Sequence, residues 1–203
     1  MGQTEKNTLR KELRARTRSL SPEYILEAGA AITERLLTTE AVAQADIVFT
    51  FISTASEPDT HRLIEELWKR GKRVCVPKCL PDRQMAVVEL TDWAQLAPAA
   101  MGLLEPVSTV PQVEAGEVDL VIVPCVAAWY SGARLGHGGG YYDRFLERCV
   151  AEKLCVCFEQ LLCADIPMTA QDIPMDYLLT ERGLTICSAW SDRDAEKLRQ
   201  KES

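Results

Sequence analysis

Apolar residues in the first forty positions recur at the spacing of two consecutive helices. Within residues 4–20, a stripe of three leucines runs along a basic helix: Leu9, Leu13 and Leu20. Ser21 followed by Pro22 is a typical helix start, because serine caps the first turn and proline is favoured at its first position. The face that this second helix is expected to bury consists of Ile25, Leu26, Ile32, Leu36 and Leu37. The pattern therefore predicts an N-terminal helical hairpin.

Continuous apolar runs with β-branched residues predict the strands of a parallel sheet. Residues 46–52 form such a run, which is typical of a strand buried on both faces. An amphipathic helix is predicted over residues 59–70, where Gly71 ends it, and residues 73–77 are predicted to form the next strand. Together these segments predict a strand-helix-strand unit with a right-handed crossover.

The rest of the chain continues this alternation. Further strands are predicted at residues 85–90, 118–123, 154–158, 177–180 and 184–187, and a helix is predicted at 141–150. Residues 96–115 are rich in proline and small residues, so a loop is expected there. Because no internal repeat or linker divides the sequence, we expect residues 1–203 to form one α/β domain. Its expected architecture is a three-layer sandwich whose mostly parallel central sheet is flanked by helices.

Composition narrows the class of protein. Hydrophobic residues make up 47% and charged residues 26% of the sequence, as in globular proteins. The formal net charge of −7 argues against a protein that mainly grips nucleic acid, because phosphate neutralisation needs a surplus of lysine and arginine. No apolar stretch approaches the ~20 residues of a membrane span, and the polar first residues show no export signal. We therefore expect a cytoplasmic monomer that binds neither nucleic acid nor membranes.

The eight cysteines are expected to be reduced and mostly buried. They are scattered, largely within apolar runs: Cys75, Cys79, Cys125, Cys149, Cys155, Cys157, Cys163 and Cys187. A zinc site would need paired Cys-x₂-Cys or Cys/His clusters, and Cys75 with Cys79 has no second pair at a matching interval. No structural zinc site is therefore predicted.

The clearest candidate chemistry is a glycine-rich turn between a predicted strand and a predicted helix. Residues 134–143 have the sequence Arg-Leu-Gly-His-Gly-Gly-Gly-Tyr-Tyr-Asp, and the four glycines are Gly136, Gly138, Gly139 and Gly140. Glycines adopt positive φ at low cost and let backbone amides approach phosphate oxygens closely. Arg134 can bind a phosphate through two parallel hydrogen bonds, and Asp143 offers a hard oxygen ligand suited to Mg²⁺. The turn is therefore a candidate phosphate site.

This turn differs from two familiar phosphate loops. A Walker A loop needs lysine and then serine or threonine after its final glycine, where this chain has Tyr141 and Tyr142. A dinucleotide-binding fingerprint would come early in the fold. A purely structural turn, in which Asp143 only caps the following helix, remains an alternative. Such a turn seldom needs an arginine, four glycines, two tyrosines and an acid within ten residues.

Motifs along nearly the whole chain resemble the 5-formyltetrahydrofolate cyclo-ligase family, whose members are also called methenyltetrahydrofolate synthetases. The glycine-rich turn, with Pro124 and the strand before it, resembles the specific signature of that family. Shorter motifs follow in family order: Lys6-Asn-Thr-Leu-Arg10, Glu57-Pro-Asp-Thr60, Gly102-Leu-Leu-Glu-Pro106, Gln160, and Asp172-Ile-Pro-Met-Asp176 followed by Thr180. Their shared order and spacing are the main support for the resemblance.

The resemblance implies an enzyme that uses ATP and Mg²⁺ to convert 5-formyltetrahydrofolate into 5,10-methenyltetrahydrofolate through a phosphorylated formyl intermediate, releasing ADP and phosphate. The catalytic residues that it implies are Lys6, Arg134 and Asp143. The implied ATP-binding residues are Lys6, Arg10, Arg134, Leu135, Gly136, His137, Gly138, Gly139, Gly140, Tyr141 and Tyr142. The implied folate-binding residues are Ile52, Glu57, Met85, His137, Gly138, Gly139, Gly140 and Tyr141. Mg²⁺ would be held by Asp143 and Asp172.

The chain departs from the family pattern in two places. After the proline that corresponds to Pro124, the family usually has Gly-x-Ala-Phe-Asp. This chain has Cys125-Val-Ala-Ala-Trp129 there, so Trp129 stands at the position of the acid. Pro58 follows Glu57 where the family generally carries a β-branched residue. Two alternatives therefore stay open: a nucleotide- or folate-binding paralogue that has lost turnover, and another ATP-dependent ligase on the same scaffold. Core packing is likewise an alternative role for Ile52 and Met85.

Overall fold

A computed structural model describes residues 2–99, 102–107 and 110–187 of the chain. Its α-helices are α1 (Gly2–Arg18), α2 (Pro22–Leu36), α3 (Glu40–Gln44), α4 (His61–Lys69) and α5 (Tyr141–Leu146). The predicted start of the second helix is confirmed, because the Ser21 side chain accepts a hydrogen bond from the Tyr24 amide and Pro22 occupies the first turn. The short helix α3, capped by Thr39, has no counterpart among the predicted elements.

One eight-stranded mixed sheet organises the described chain. The strands are β1 (Ile47–Phe49), β2 (Arg73–Cys79), β3 (Met85–Glu89), β4 (Leu96–Pro98), β5 (Leu104–Pro106), β6 (Gln112–Val113), β7 (Leu120–Val123), β8 (Ala127–Ala128), β9 (Arg134–Leu135), β10 (Glu152–Val156), β11 (Tyr177–Thr180) and β12 (Gly183–Ile186). The strand order in this sheet is β12-β11-β10-β7-β1-β2-β3-β6. The five strands from β11 to β2 run parallel, and antiparallel strands flank them on both edges. The predicted α/β class with a mostly parallel sheet is confirmed.

The order of the strands reverses direction between β1 and β7. From β1 the chain crosses through α4 to β2 on one side, and from β7 it crosses through α5 to β10 on the other side. Because both crossovers are expected to be right-handed, the two helices cover opposite faces of the sheet. In open α/β sheets this reversal leaves a crevice at the carboxyl ends of the two strands, where ligands bind. A ligand site is therefore expected among the residues that follow β1 and β7.

The core explains why the strands are almost wholly apolar. All four residues of β7 are buried, as are all three of β1. The Phe49 ring, at the end of β1, lies 4.8 Å from the Phe145 ring of α5. Helix α5 is therefore fixed to the sheet directly behind the glycine-rich turn.

Several predicted details are wrong. Leu26 does not belong to the buried face of α2, since 75% of its side chain is exposed. The segment predicted as a loop contains the β4–β5 hairpin and the edge strand β6 within its described part. Helix α5 ends at Leu146 rather than near Val150, and β1 is shorter than the apolar run that predicted it.

The cysteines, all of which lie in the described part of the chain, form no disulfides. All eight cysteines are free, and five of them are buried. In the part of the chain that the structure describes, none of the helices combines the length and apolar character needed to cross a bilayer.

Candidate active site

The site lies where the chain leaves the carboxyl ends of β1 and β7. The loop after β1 carries Glu57, and the chain after β7 passes Pro124, forms the β8–β9 hairpin and enters the glycine-rich turn. Helix α1 lies against that turn, so residues from the start and from the middle of the sequence meet there. The fold thus brings most of the predicted residues to one edge of the sheet.

The backbone of the turn needs glycine at two positions. Gly138 and Gly140 have φ values of 102° and 70°, in the left-handed region that favours glycine. At Gly136 the reason is space, since an added Cβ would lie 2.8 Å from a terminal nitrogen of Arg134. The predicted positive φ is therefore confirmed for two of the four glycines.

Arg134 and Asp143 form an ion pair across the turn. One terminal nitrogen of Arg134 donates to Oδ1 of Asp143 at 2.7 Å, and the other donates to the Pro124 carbonyl at 3.3 Å. The Arg134 side chain is only 3% exposed, while the Asp143 side chain is 28% exposed. The buried guanidinium therefore keeps a permanent positive charge beneath the turn, next to a carboxylate that water can partly reach.

Helix α1 holds the turn through two arginines. Nε of Arg10 donates to the Gly136 carbonyl at 2.8 Å, and Arg14 donates to the His137 carbonyl at 2.9 Å. Because the carbonyl and amide of a trans peptide point in opposite directions, these bonds aim the following amides of His137 and Gly138 away from α1. Burial and the neighbouring charge of Arg14 lower the pKa of Arg10 from its ordinary value. The side of the turn that faces α1 is therefore rich in cations and lined with carbonyl groups.

Lys6 joins the first turns of α1 to the segment between β10 and β11. Its ammonium group forms an ion pair with Oδ2 of Asp172, and the two side chains are 7% and 14% exposed. The same carboxylate oxygen accepts hydrogen bonds from the amide and hydroxyl of Thr169, at 2.6 and 2.8 Å. This ion pair spans 166 positions of sequence, so only the folded chain creates it.

Glu57 is held as an anion on the other side of the turn. Its Oε2 accepts hydrogen bonds from the Thr54 amide and hydroxyl, both at 2.8 Å, and its Oε1 lies 3.4 Å from Nε2 of His137. Burial would raise the pKa of the Glu57 carboxyl, but the hydrogen bonds from His137 and Thr54 outweigh it and lower the pKa. Glu57 is therefore a preorganised hydrogen-bond acceptor that contacts the glycine-rich turn directly.

The remaining predicted contacts are apolar or aromatic. Ile52 is partly buried against the main core, and Met85 belongs to that core with 6% exposure. Tyr141 and Tyr142 also pack against it, and the Tyr142 ring lies 6.4 Å from the Phe49 ring. Burial raises the pKa of the Tyr142 phenol, and the negative charge of Glu57 adds to the shift. Core packing thus accounts for most of the surface of Met85, and its contact with a ligand stays a prediction.

The predicted metal ligands Asp143 and Asp172 are each held by a basic side chain, Arg134 and Lys6 respectively. Across residues 2–99, 102–107 and 110–187, no group of three or more His, Cys, Asp or Glu side chains is arranged to hold a metal ion. The carboxylates nevertheless suit Mg²⁺ chemically, because they are hard oxygen donors. Their hydrogen bonds to described residues use Oδ1 of Asp143 and Oδ2 of Asp172, which leaves each a second oxygen for a cation.

Two threonines and one arginine of the site were not predicted. Thr54 and Thr169 each stand three residues before the acid that they hold, Glu57 and Asp172. The pattern Thr-x-x-acid is a known signal of local side-chain to backbone bonding, so it could have pointed to both positions. Arg14 gave no such signal, because the sequence marks it only as one cation of a basic helix.

Trp129 packs against a small apolar cluster between α1 and the β8–β9 hairpin, which contains Leu13 of that helix. Its amide donates to the Ala133 carbonyl at 2.9 Å in the β8–β9 turn. The side chain at this departure from the family pattern therefore has an apolar packing role beside the site.

Comparison with known proteins matches the chain to one family. The sequence model of the 5-formyltetrahydrofolate cyclo-ligase family matches residues 2–181. The 5-formyltetrahydrofolate cyclo-ligase of Escherichia coli K12 is 33% identical over 174 residues, covering 83% of this chain and 96% of the relative. The protein of the same name from Mus musculus is 29% identical over 189 residues, covering 87% of this chain and 93% of the relative.

Solved structures give the same result at the level of the fold. The 5,10-methenyltetrahydrofolate synthetase of Aquifex aeolicus superposes with a TM-score of 0.80 at 30% identity, covering 90% of this chain and 93% of that one. The synthetase of Mycoplasma pneumoniae, at 20% identity, superposes with a TM-score of 0.71 over 87% of this chain and 98% of that one. The second likeness supports the fold alone.

Proposed function

Because the chain belongs to the 5-formyltetrahydrofolate cyclo-ligase family, we propose that it uses ATP and Mg²⁺ to convert 5-formyltetrahydrofolate into 5,10-methenyltetrahydrofolate. One observation carries the proposal beyond family membership. Arg134 belongs to the glycine-rich turn, Arg10 contacts it from α1, and Lys6 lies one helical turn before Arg10. His137 of the same turn contacts the largely buried carboxylate of Glu57. A phosphate donor and a hydrogen-bonding heterocycle can therefore bind next to each other.

The proposed reaction has two steps. The terminal phosphoryl group of ATP moves to the formyl oxygen, which forms a P–O bond, releases ADP and leaves an iminium-type phosphate. The neighbouring nitrogen of the folate then attacks the formyl carbon and gives up its proton, the bond from that carbon to the phosphate oxygen breaks, and the phosphate leaves with that proton as the five-membered ring closes. The formyl oxygen itself is a poor leaving group, so its phosphorylation is the chemical purpose of ATP.

The protein's own part is positioning and charge stabilisation, which dominate phosphoryl transfer. Arg134 is buried and already fixed by Asp143, so little rotamer freedom is lost when it binds a phosphate oxygen. Lys6 and Arg10 lie one helical turn apart on α1, where both face the ends of the parallel strands. Mg²⁺ held by Asp143 and Asp172 would neutralise further phosphate charge.

The folate end of the site needs an acceptor and apolar contacts. Glu57 keeps its charge because its pKa is lowered, so it can accept hydrogen bonds from the N–H groups of a pterin. Ile52, which is only partly buried, offers apolar surface on which such a ring would pack, and Met85 would add the small part of its side chain that the core leaves exposed. His137, which contacts Glu57 from the turn, would link the two halves of the site.

The direct test is formation of the methenyl product. Purified protein with ATP, Mg²⁺ and 5-formyltetrahydrofolate should produce its ultraviolet absorbance, with one ADP released per product. Arg10→Gln should lose about 10- to 100-fold in kcat/KM, because a charge-assisted contact with phosphate is removed. Arg16→Gln, on the same helix but exposed, is the matched control and should keep full activity.

The outcome also separates the alternatives. Absence of product at high protein concentration would contradict the proposal. Binding of both ligands in calorimetry without product would identify a paralogue that has lost turnover. ATP hydrolysis that does not respond to reduced folates would identify a ligase with another substrate.

A further inference from the structure

Two neighbouring side chains of the candidate active site carry buried polar atoms without a partner. Among the residues that the structure describes, three buried side-chain nitrogen or oxygen atoms make no hydrogen bond, and two of them are Nε of Arg134 and the hydroxyl oxygen of Tyr142. The guanidinium carbon of Arg134 lies 5.8 Å from the centre of the Tyr142 ring. Buried donors without acceptors are rare in folded proteins, so a neighbouring pair calls for an explanation.

Both unpartnered atoms are hydrogen-bond donors. The Nε–H of Arg134 can only donate, and a phenol hydroxyl donates readily to an anion. Neither donor has a hydrogen-bond acceptor among the described residues. A ligand with anionic oxygens would satisfy both donors.

The Tyr142 side chain has neighbours from both parts of the proposed site. Its ring lies 5.8 Å from the guanidinium carbon of Arg134, which belongs to the phosphate end, and the loop that carries Glu57, at the folate end, follows β1. Its ring packs toward Phe49, the last residue of β1. In the proposed reaction, the phosphate and folate ends meet at the formyl oxygen.

We propose that Tyr142 is a catalytic residue whose hydroxyl donates a hydrogen bond to the phosphoryl group during its transfer to the formyl oxygen. This inference rests on the proposed function. Nε of Arg134 donates to the same group. The tyrosine keeps its proton throughout, and no bond to it forms or breaks. A buried donor aimed at developing negative charge is effective because no water competes with it and it need not reorganise.

A tyrosine that only packs would not need its hydroxyl, so the change to phenylalanine separates the two roles. For Tyr142→Phe we expect kcat to fall by about 10- to 100-fold, with each KM changed by less than about threefold. The melting temperature should stay the same or rise, because a buried hydroxyl without a protein partner is replaced by hydrogen. Tyr177→Phe is the matched control, since that hydroxyl contacts Glu152 on an exposed part of the sheet, and its kcat should be unchanged.

Three results would overturn the assignment while leaving the cyclo-ligase activity intact. The first is a kcat for Tyr142→Phe within twofold of wild type. The second is an effect confined to KM for ATP, which would place the hydroxyl on the nucleotide away from the reacting group. The third is a lower melting temperature together with lower activity, which would reveal a protein partner for the hydroxyl. If the wild-type protein makes no methenyl product, the proposed function itself is rejected.

Discussion

Two ion pairs hold the candidate active site together, and they are built in different ways. Arg134 and Asp143 are nine positions apart and belong to the turn itself. Lys6 and Asp172 are separated by 166 positions and join the N-terminal helix to a distant loop. The first pair requires only that the turn itself folds. The second pair forms only when α1 docks against the sheet.

The two pairs differ in exposure as well. In the turn, the arginine is 3% exposed but its acid is 28% exposed, so water still reaches the carboxylate. In the other pair the side chains are 7% and 14% exposed, so the lysine is buried and the carboxylate is largely shielded from water. Breaking a buried pair leaves a charge that water cannot compensate. We therefore expect the local pair to matter most for chemistry and the long-range pair to matter most for stability.

Removal of the arginine from the local pair should give the largest loss of activity. Arg134→Gln takes away the buried charge at the floor of the turn, and we expect kcat to fall by about 10²- to 10³-fold, as when one preorganised donor is lost. Folding stability should fall by about 2 kcal/mol, because Asp143 can be hydrated. Product absorbance and urea unfolding measure the two effects. A variant that keeps more than a tenth of the wild-type kcat would contradict the proposed role.

Disruption of the long-range pair should reverse the balance. Lys6→Met leaves the Asp172 carboxylate buried without its cation, so we expect a stability loss of about 3 kcal/mol and an activity loss of about 10²-fold. Hydrogen exchange should become faster in α1 before it does in β7, since only the helix loses its anchor.

A double-mutant cycle with Asp172→Asn is the control for this prediction. The double variant should be more stable than Lys6→Met alone, because the uncompensated charge has been removed. Strictly additive losses in stability would show that the two side chains do not stabilise each other.

A change in the backbone of the turn should have a smaller effect than the loss of either ion pair. Gly138→Ala forces a side chain into positive φ and places its Cβ 3.4 Å from Nε of Arg10, so we expect a stability loss of about 1–2 kcal/mol and roughly tenfold lower activity. Gly116→Ala is the control, because an added Cβ there meets no atom within 4 Å. Equal melting temperatures for the two variants would mean that the turn does not require its left-handed backbone.

The smallest effect on folding stability should come from Glu57, which contacts His137 of the turn. Its pKa is lowered in the folded protein, so its charge stabilises the fold at all pH values above about 4.3, the ordinary pKa of glutamate. This stabilisation is lost as the pH falls further, through the lowered pKa. Urea unfolding between pH 3 and 7 should therefore show a steeper loss at low pH for wild type than for Glu57→Gln. Parallel curves would show that Glu57 contributes nothing to the pH dependence.

Much of the architecture could be predicted because it depends on local patterns. Ser21 and Pro22 marked the start of α2, and the apolar run after Val118 marked the central strand β7. The shortest strands were harder, because β6, β8 and β9 have only two residues each and carry no periodicity. The edge strand β6 pairs with β3, about twenty-five positions away, so its own residues do not mark it. Leu26 was misassigned because the buried face of α2 is formed by Ala28, Ile32 and Leu36, and Leu26 lies outside it.

The sequence by itself determined the chemistry that is available: a phosphate turn with its arginine and acid, a basic first helix, and a glutamate after the first strand. It did so because each of these signals lies within one short stretch of the chain. Only the tertiary structure decided the partners, placing Lys6 on Asp172, Arg14 on the His137 carbonyl and the Tyr142 hydroxyl in a buried position without an acceptor among the described residues. Contacts between distant segments depend on how α1 docks and where the strand order reverses, and no short stretch of sequence contains that information.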